Sequence, residues 1–196
     1  MAELLKHPEA MSKVQQELTQ VVGLSNMVEE SHLSQLTYLD AAIKETFRLH
    51  LPLPLLVPRR PSKTTTIGRY KVPKDTKVFI NVWALQRDPE IWEYPLEFRP
   101  ERFLRDNNYK GNKFDYSGNN FSFLPFGSGR RICAGIPLAE RTLSYVLASF
   151  LHSFEWKLPR DEAELEMSDM FGIVVKKLEP LSAIPTPRLS NLELYT

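Results

Sequence analysis

Of the 196 residues only one is a cysteine, Cys133. A lone thiol excludes a disulfide framework within the chain and cannot supply the ligands of an iron–sulfur cluster. The four histidines, His7, His32, His50 and His152, are scattered without the spacing of a metal site. An excess of charge of one sign is missing too. The 25 basic and 24 acidic residues leave a net charge of +1, which gives no ground for a nucleic-acid partner. No run approaches the roughly 18 consecutive apolar residues of a membrane span, and no signal-peptide pattern is visible. Proline, by contrast, is abundant. Fifteen prolines exceed the usual share of about 5%, and they forecast much irregular chain between short elements. The length suffices for one core and is short for two.

The only cysteine lies in Phe126–Gly135, FGSGRRICAG. Phe126, Gly129, Arg131, Cys133 and Gly135 fall at the spacing F-x-x-G-x-R-x-C-x-G, a five-point pattern expected by chance well under about one time in ten thousand. Glycines on both sides of the sulfur suit a backbone that turns sharply and admits a flat ligand. Ile136 and Pro137 open a helical pattern, with Pro137 in the first turn where its missing N–H costs little. Cys133 therefore sits just before a helix N-terminus, whose free amides and dipole favour a thiolate. Such a sulfur is what a haem iron takes as an axial ligand that promotes O–O cleavage. By base rates alone a single Cys is a buried structural thiol; the five-point loop weighs heavily against that.

The loop resembles the haem-binding loop of the cytochrome P450 monooxygenases, with Cys133 at the position of the iron ligand. The resemblance runs over the whole sequence and corresponds to the C-terminal two-fifths or so of the family's fold. The implied fold is mainly α with small antiparallel β-sheets, a partial domain over residues 1–196. Within it residues 104–125 form an irregular meander, 126–135 the haem loop and 137–154 the following helix. The implied cofactor is haem b, its iron ligated by the Cys133 thiolate. Arg131 is expected at a propionate, and Phe126 and Gly135 beside the macrocycle. The opening MAELLKHPEAMSKVQQEL reads as mid-protein helix, so a fragment or truncated gene model is expected.

Taken in order, residues 2–6 read as a helix tail stopped at His7-Pro8. Glu9 to Val22 reads as a helix with Met11, Val14, Leu18 and Val21 on its core face. A short helical turn is expected over Glu29–Leu36 and a longer helix over Leu39–His50. That helix carries Glu45 and Arg48 at i,i+3, usually a solvated pair of small worth. The resemblance changes the weighing. An E-x-x-R pair and the arginine of the PERF segment form a buried charge cluster in the family, and Glu45, Arg48 and Arg102 match it. Its implied role is structural, fixing the cysteine loop against the core.

Leu51–Pro58, LPLPLLVP, is too proline-rich for helix or central strand. As a stiff apolar segment it is either a pocket wall or an ordinary core crossing. The resemblance places Leu53, Leu55, Leu56 and Val57 at substrate, and Phe171, Gly172 and Ile173 in a second substrate-lining region. Either Arg59 or Arg60, with Arg59 preferred, is expected at a haem propionate. Strands are expected over Thr64–Ile67, Gly68–Val72 and Lys77–Val82, joined in one small sheet, and again at Ile173–Val175. Trp83–Arg87 begins a brief helical passage, and a broad apolar stripe from Leu138 to Leu151 marks a helix over Pro137–Phe154. The polar tail after Pro187 is expected to fray.

The family chemistry implied is insertion of one atom of O2 into an unactivated C–H bond of a small apolar metabolite. The electrons come from NADPH through NADPH–cytochrome P450 reductase, which docks on the cysteine side where Arg130 stands. FDYSGNNFSFLPFGSGRRICAG is similar to the plant microsomal branch, which hydroxylates flavonoids and terpenoids in specialised metabolism. Full-length relatives of that branch sit on the endoplasmic reticulum membrane through an N-terminal anchor. Neither that anchor nor the family's oxygen-activating acid–threonine pair is found in this chain, so the isolated chain is expected to be inactive. Two alternatives stay open: a haem-binding module without oxygenation, and an idle truncation product.

Overall fold

The computed structural model of the protein describes residues 1–104, 114–159, 165–172 and 174–195. Its helices are α1 (Ala2–Lys6), α2 (Pro8–Val21), α3 (Thr37–Leu49), α4 (Val82–Leu85) and α5 (Ile136–Ser153). The strands among the described residues form three separate antiparallel pairs. β1 (Thr65–Ile67) pairs with β2 (Tyr70–Val72), β3 (Phe154–Lys157) with β6 (Ile184–Pro187), and β4 (Asp169–Met170) with β5 (Lys176–Lys177). The chain is thus mainly α with small antiparallel sheets.

Pro8 ends α1 at His7 and opens α2 from a first-turn position. Val14 and Leu18, one turn apart on α2, are fully buried. They join Leu39, Ala42 and Ile43 of α3 and Ala148 and Leu151 of α5 in the main core. A second, aromatic cluster of Trp92, Tyr116 and Phe123 lies under the residues that lead to the cysteine loop.

α3 is held at both ends by side chains from distant sequence. Leu36, before its first turn, offers no side-chain cap. Glu17 of α2 takes that place: it accepts the N–H of Tyr38 at 2.7 Å, the N–H of Leu39 at 3.0 Å and the Thr37 hydroxyl at 3.0 Å. A carboxylate at free helix amides is favourable both as hydrogen-bond partner and as charge. At the other end Gln86, just past α4, donates to the carbonyls of Phe47 at 3.0 Å and Arg48 at 3.1 Å. Arg87 donates to the carbonyl of Leu49.

Several expectations change. Residues 77–82 make no strand; Val78 instead forms a single bridge with Arg59. Pro61 falls where the next hydrogen-bonded pair would need an N–H, so the ladder does not extend past Arg59 in that direction. β5 lies at Lys176–Lys177, beyond the expected 173–175 segment; Ile173 itself is outside the described residues, as are 105–113 of the expected meander. The apolar stripe of α5 is only partly interior. Ala148 and Leu151 are buried, whereas Leu138, Leu143, Val146 and Phe150 are exposed, because α2 and α3 cover one side of the helix only.

Residues 188–195, expected to fray, are described, and the first of them is tied to the core. The guanidinium of Arg188 donates to the carbonyls of Leu151 at 2.9 Å and His152 at 3.0 Å, and pairs with Glu155 at 2.7 Å. It thereby serves the orphan carbonyls at the end of α5. Pro185 and Pro187 alternate along β6, so both missing donors face away from β3, as an edge strand allows.

Glu17→Ala removes the acceptor from two free amides of α3 and is expected to lower stability by about 1–2 kcal/mol. Glu17→Gln should recover part of that loss. The midpoint of urea unfolding reads both.

Candidate functional site

The site is built on α3. Glu45 and Arg48 face inward one turn apart and are fully buried. The guanidinium of Arg48 grips the Glu45 carboxylate with two bonds, Nε to Oε2 at 2.7 Å and Nη2 to Oε1 at 2.8 Å. From the short 3-10 turn Pro100–Phe103, Arg102 Nε reaches Glu45 Oε1 at 3.2 Å, and the backbone N–H of Arg99 reaches the same oxygen at 2.9 Å. The remaining donors are used as well. Arg48 donates to the carbonyls of Gln86 (2.8 Å), Pro95 (2.7 Å) and Glu97 (3.1 Å), and Arg102 to those of Glu93 and Tyr94. Burial lowers the pKa of Arg102 and the Glu45 charge opposes that shift. Arginine keeps its proton in such a place. The cluster therefore pins 93–102, otherwise irregular chain, onto α3.

Gln86 extends the same fixation toward the cysteine. It is fully buried, and while its amide nitrogen caps α3, its amide oxygen accepts the N–H of Leu124 at 3.0 Å. Two residues further, the ring of Phe126 meets Phe47 of α3 at 5.3 Å and Tyr116 at 5.2 Å, edge to face in both cases. Burial pushes the Tyr116 hydroxyl well up, helped by Asp40 and Glu140, so this phenol stays neutral. The Phe126 carbonyl accepts the N–H of Cys133 at 3.0 Å, closing the loop on itself. Gly127 (φ 77°) and Gly129 (φ 67°) turn the chain between them in the left-handed region that only glycine enters cheaply.

Two cavities meet at the segment that follows α3. The first, of about 1460 Å³, is lined by Phe126, Arg131 and Cys133 of the loop, by Arg59 and Arg60, and by Leu53, Leu56 and Val57. The second, of about 890 Å³, is lined by Leu53, Leu55, Leu56 and Val57 together with Phe171 and Gly172. Leu51–Pro58 thus borders both cavities, while Leu51 and Leu56 also pack with Val82 and Leu124 in a small core cluster. Leu56, in that segment, has φ 52°, a conformation that costs a non-glycine residue about 1–3 kcal/mol and gathers at ligand sites.

The structure brings the loop residues and both arginines to one cavity, and the two expected substrate segments to the other. Ile173 lies outside the described residues. Gly135 stands just behind the sulfur, where a Cβ would come within 3.6 Å of Cys133 Sγ. The first cavity fits a flat dianionic macrocycle in its donors. Arg59 Nε is buried and has no hydrogen-bond partner among the described residues, and its Nη2 donates only weakly, to the Ser128 carbonyl at 3.4 Å. Arg60 is exposed. That difference favours Arg59 over Arg60 as the residue kept for an anion.

Sequence reasoning missed Gln86 and Phe47, since nothing in their local pattern marks them. It also missed Phe79, Trp83 and Met167, which line the second cavity. Phe79 and Trp83 could have been suspected as large apolar residues in a short, polar-flanked segment.

A family model described as cytochrome P450 matches residues 1–182. Cytochrome P450 76C1 of Arabidopsis thaliana is 47% identical over 194 residues, 98% of this chain and 37% of that protein. Flavonoid 3',5'-hydroxylase of Solanum melongena is 45% identical over 97% of this chain and 36% of its own length. Geraniol 8-hydroxylase of Swertia mussotii is 48% identical over 95% of this chain and 37% of its own length. A solved structure of a zebra fish cytochrome P450 with progesterone superposes with a TM-score of 0.82 at 34% identity, covering 95% of this chain and 40% of that one. The chain spans little more than a third of the length of the curated relatives it matches.

Glu45→Ala leaves two buried guanidinium groups without their counter-charge and is expected to cost about 3–5 kcal/mol. Lys13→Ala, which breaks the surface pair with Glu101, should cost no more than about 1 kcal/mol. Paired denaturation curves separate the two.

Proposed function

The chain belongs to the cytochrome P450 family, and from that membership we propose that the protein carrying it is a haem-thiolate monooxygenase. It inserts one oxygen atom of O2 into a C–H bond of a small apolar metabolite. The observation that carries the reading is the family's cysteine in a cavity shared with Arg59, whose buried Nε has no hydrogen-bond partner among the described residues. Bound haem supplies the oxygen chemistry, and the protein's part is to hold, orient and shield it.

Residues 126–135 are the haem loop, 104–125 the segment leading to it, described only at 104 and over 114–125, and 137–154 the helix that follows. Cys133, two residues before the Gly135 cap of α5, is the iron ligand as its thiolate. Arg59 and Arg131 meet the propionates, since a guanidinium engages a carboxylate with two bonds. Phe126, braced by Phe47 and Tyr116, packs beside the macrocycle. Glu45, Arg48 and Arg102 stand behind the loop and touch neither cofactor nor substrate. Their part is to keep the loop in place.

Leu53, Leu55, Leu56 and Val57 form the substrate wall, with Phe171 and Gly172 lining the same cavity; Ile173, assigned with them, lies outside the described residues. Such a lining excludes water and favours apolar ligands without choosing one. Relatives named for flavonoid and geraniol hydroxylation support a substrate from plant specialised metabolism, either a flavonoid or a terpenoid. Electrons come from NADPH through its P450 reductase, meeting the cysteine side where Arg130 is exposed. The complete protein is held at the endoplasmic reticulum membrane; among the described residues no helix is long and apolar enough to cross one. Oxygen activation is assigned to no residue of this chain.

Cys133→Ser in the complete, haem-loaded protein is expected to abolish hydroxylation of a geraniol or flavonoid substrate together with the thiolate-type Soret band of the ferrous–CO complex. Retention of both overturns the reading. Arg59→Leu should weaken haem retention by about 10-fold or more, with Arg60→Leu affecting it less. Haem titration of the apoprotein decides.

A further inference from the structure

The loop that presents Cys133 is seated from outside on one residue that no site pattern marks, Gly118. It is buried, with φ 73°, in a stretch of successive turns. Asp115 Oδ1 accepts the Ser117 N–H at 3.0 Å, and the Asn120 carbonyl accepts the Phe123 N–H at 3.1 Å. The stretch is therefore ordered chain and not a slack connection. Its Gly118 carbonyl accepts the Ser128 hydroxyl at 2.6 Å.

The contact is closer than any side chain permits. A Cβ on Gly118 would stand 2.6 Å from the Gly127 carbonyl oxygen, 2.9 Å from Ser128 Cα and 3.2 Å from Ile132 Cδ1. The two nearest atoms are backbone, which cannot swing aside as a side-chain tip can. Both belong to the loop that the Phe126 carbonyl closes by accepting the Cys133 N–H. Gly68 gives the contrast. It too has a left-handed φ, 57°, yet nothing lies within 4 Å of the place its Cβ would take.

We propose that Gly118 is a positioning residue for the cysteine ligand. Its bare α-carbon lets 127–128 lie flat on the 115–120 stretch, and the Ser128–Gly118 bond locks that approach, so the seat sets where the sulfur stands. The inference rests on the haem-thiolate reading of Cys133. A methyl group at 118 must lift the loop and loosen the closure between Phe126 and Cys133. That changes the sulfur–iron bond without removing any ligand.

The test compares Gly118→Ala, Ser128→Ala and Gly68→Ala in the complete, haem-loaded protein. It measures thermal midpoint, haem affinity and the ferrous–CO Soret band. Gly118→Ala is expected to lose about 10–100-fold in haem affinity and to convert much of the thiolate band to the neutral-thiol form. Ser128→Ala should shift both in the same direction by less. Gly68→Ala, with comparable backbone strain and no steric push, should lower the thermal midpoint and leave affinity and spectrum unchanged. A Gly118→Ala protein that melts earlier but keeps the parent affinity and band overturns the inference, since a merely structural glycine behaves so. If Gly118→Ala does not fold, Ser128→Ala decides: a shift supports the seat, and parent behaviour overturns it. A parent protein without a thiolate band sinks the haem reading and this inference together, whereas a normal parent with unchanged variants sinks this one alone.

Discussion

One carboxylate, that of Glu45, organises the interior. It accepts from two arginines and one backbone amide, and through them it gathers the irregular chain from Glu93 to Arg102 onto α3. A buried ion cluster of this kind is weak evidence for net stability, because desolvation offsets much of the attraction. Its consequence is geometric. The arginine donors that do not reach Glu45 are spent on main-chain carbonyls of 86 to 97, segments with no regular structure to fix them. Removing the charge would leave those segments without a reason to sit where they do.

Everything presented to a ligand is attached to the same strut. α3 is capped at one end by Glu17 and at the other by Gln86 and Arg87. Past that second end the prolines of 51–58 prevent helix, and the chain becomes a wall that borders both cavities. Gln86 also holds Leu124, and Phe47 of the same helix braces Phe126. Wall and cysteine loop are therefore referred to one rigid body, so their relative position is set by short-range packing and hydrogen bonds rather than by the long loop between them in sequence. Under the proposed function that arrangement keeps the cysteine loop at a fixed distance from the wall.

Chemistry is separable from this scaffold. The arginine left with an unpaired buried nitrogen, the glycine-turned loop and the left-handed Leu56 all lie around the cavities. These three lie where a ligand is expected, whereas the left-handed Asp75 and Tyr94 and His152 Nδ1, without a partner among the described residues, line neither cavity. Phe79, Trp83 and Met167 share the second cavity with the proline-rich wall.

Much was legible in the sequence because it is local. The five-point loop, the E-x-x-R pair and the PERF turn each sit within ten residues, and α2, α3 and α5 followed from apolar spacing to within one or two residues. The small sheets were harder. A strand needs a partner, and residues 77–82 find only a single bridge at Arg59, which Pro61 keeps from extending. Only the tertiary structure could reveal that Gln86 joins two segments, that Arg188 closes the end of α5, and that Gly118 is bare because a backbone carbonyl would occupy the place of its Cβ. The sequence determined which elements form and which residue types could carry the chemistry. The tertiary structure decided which of them meet, because contacts across tens of residues depend on packing and donor geometry that no local pattern encodes.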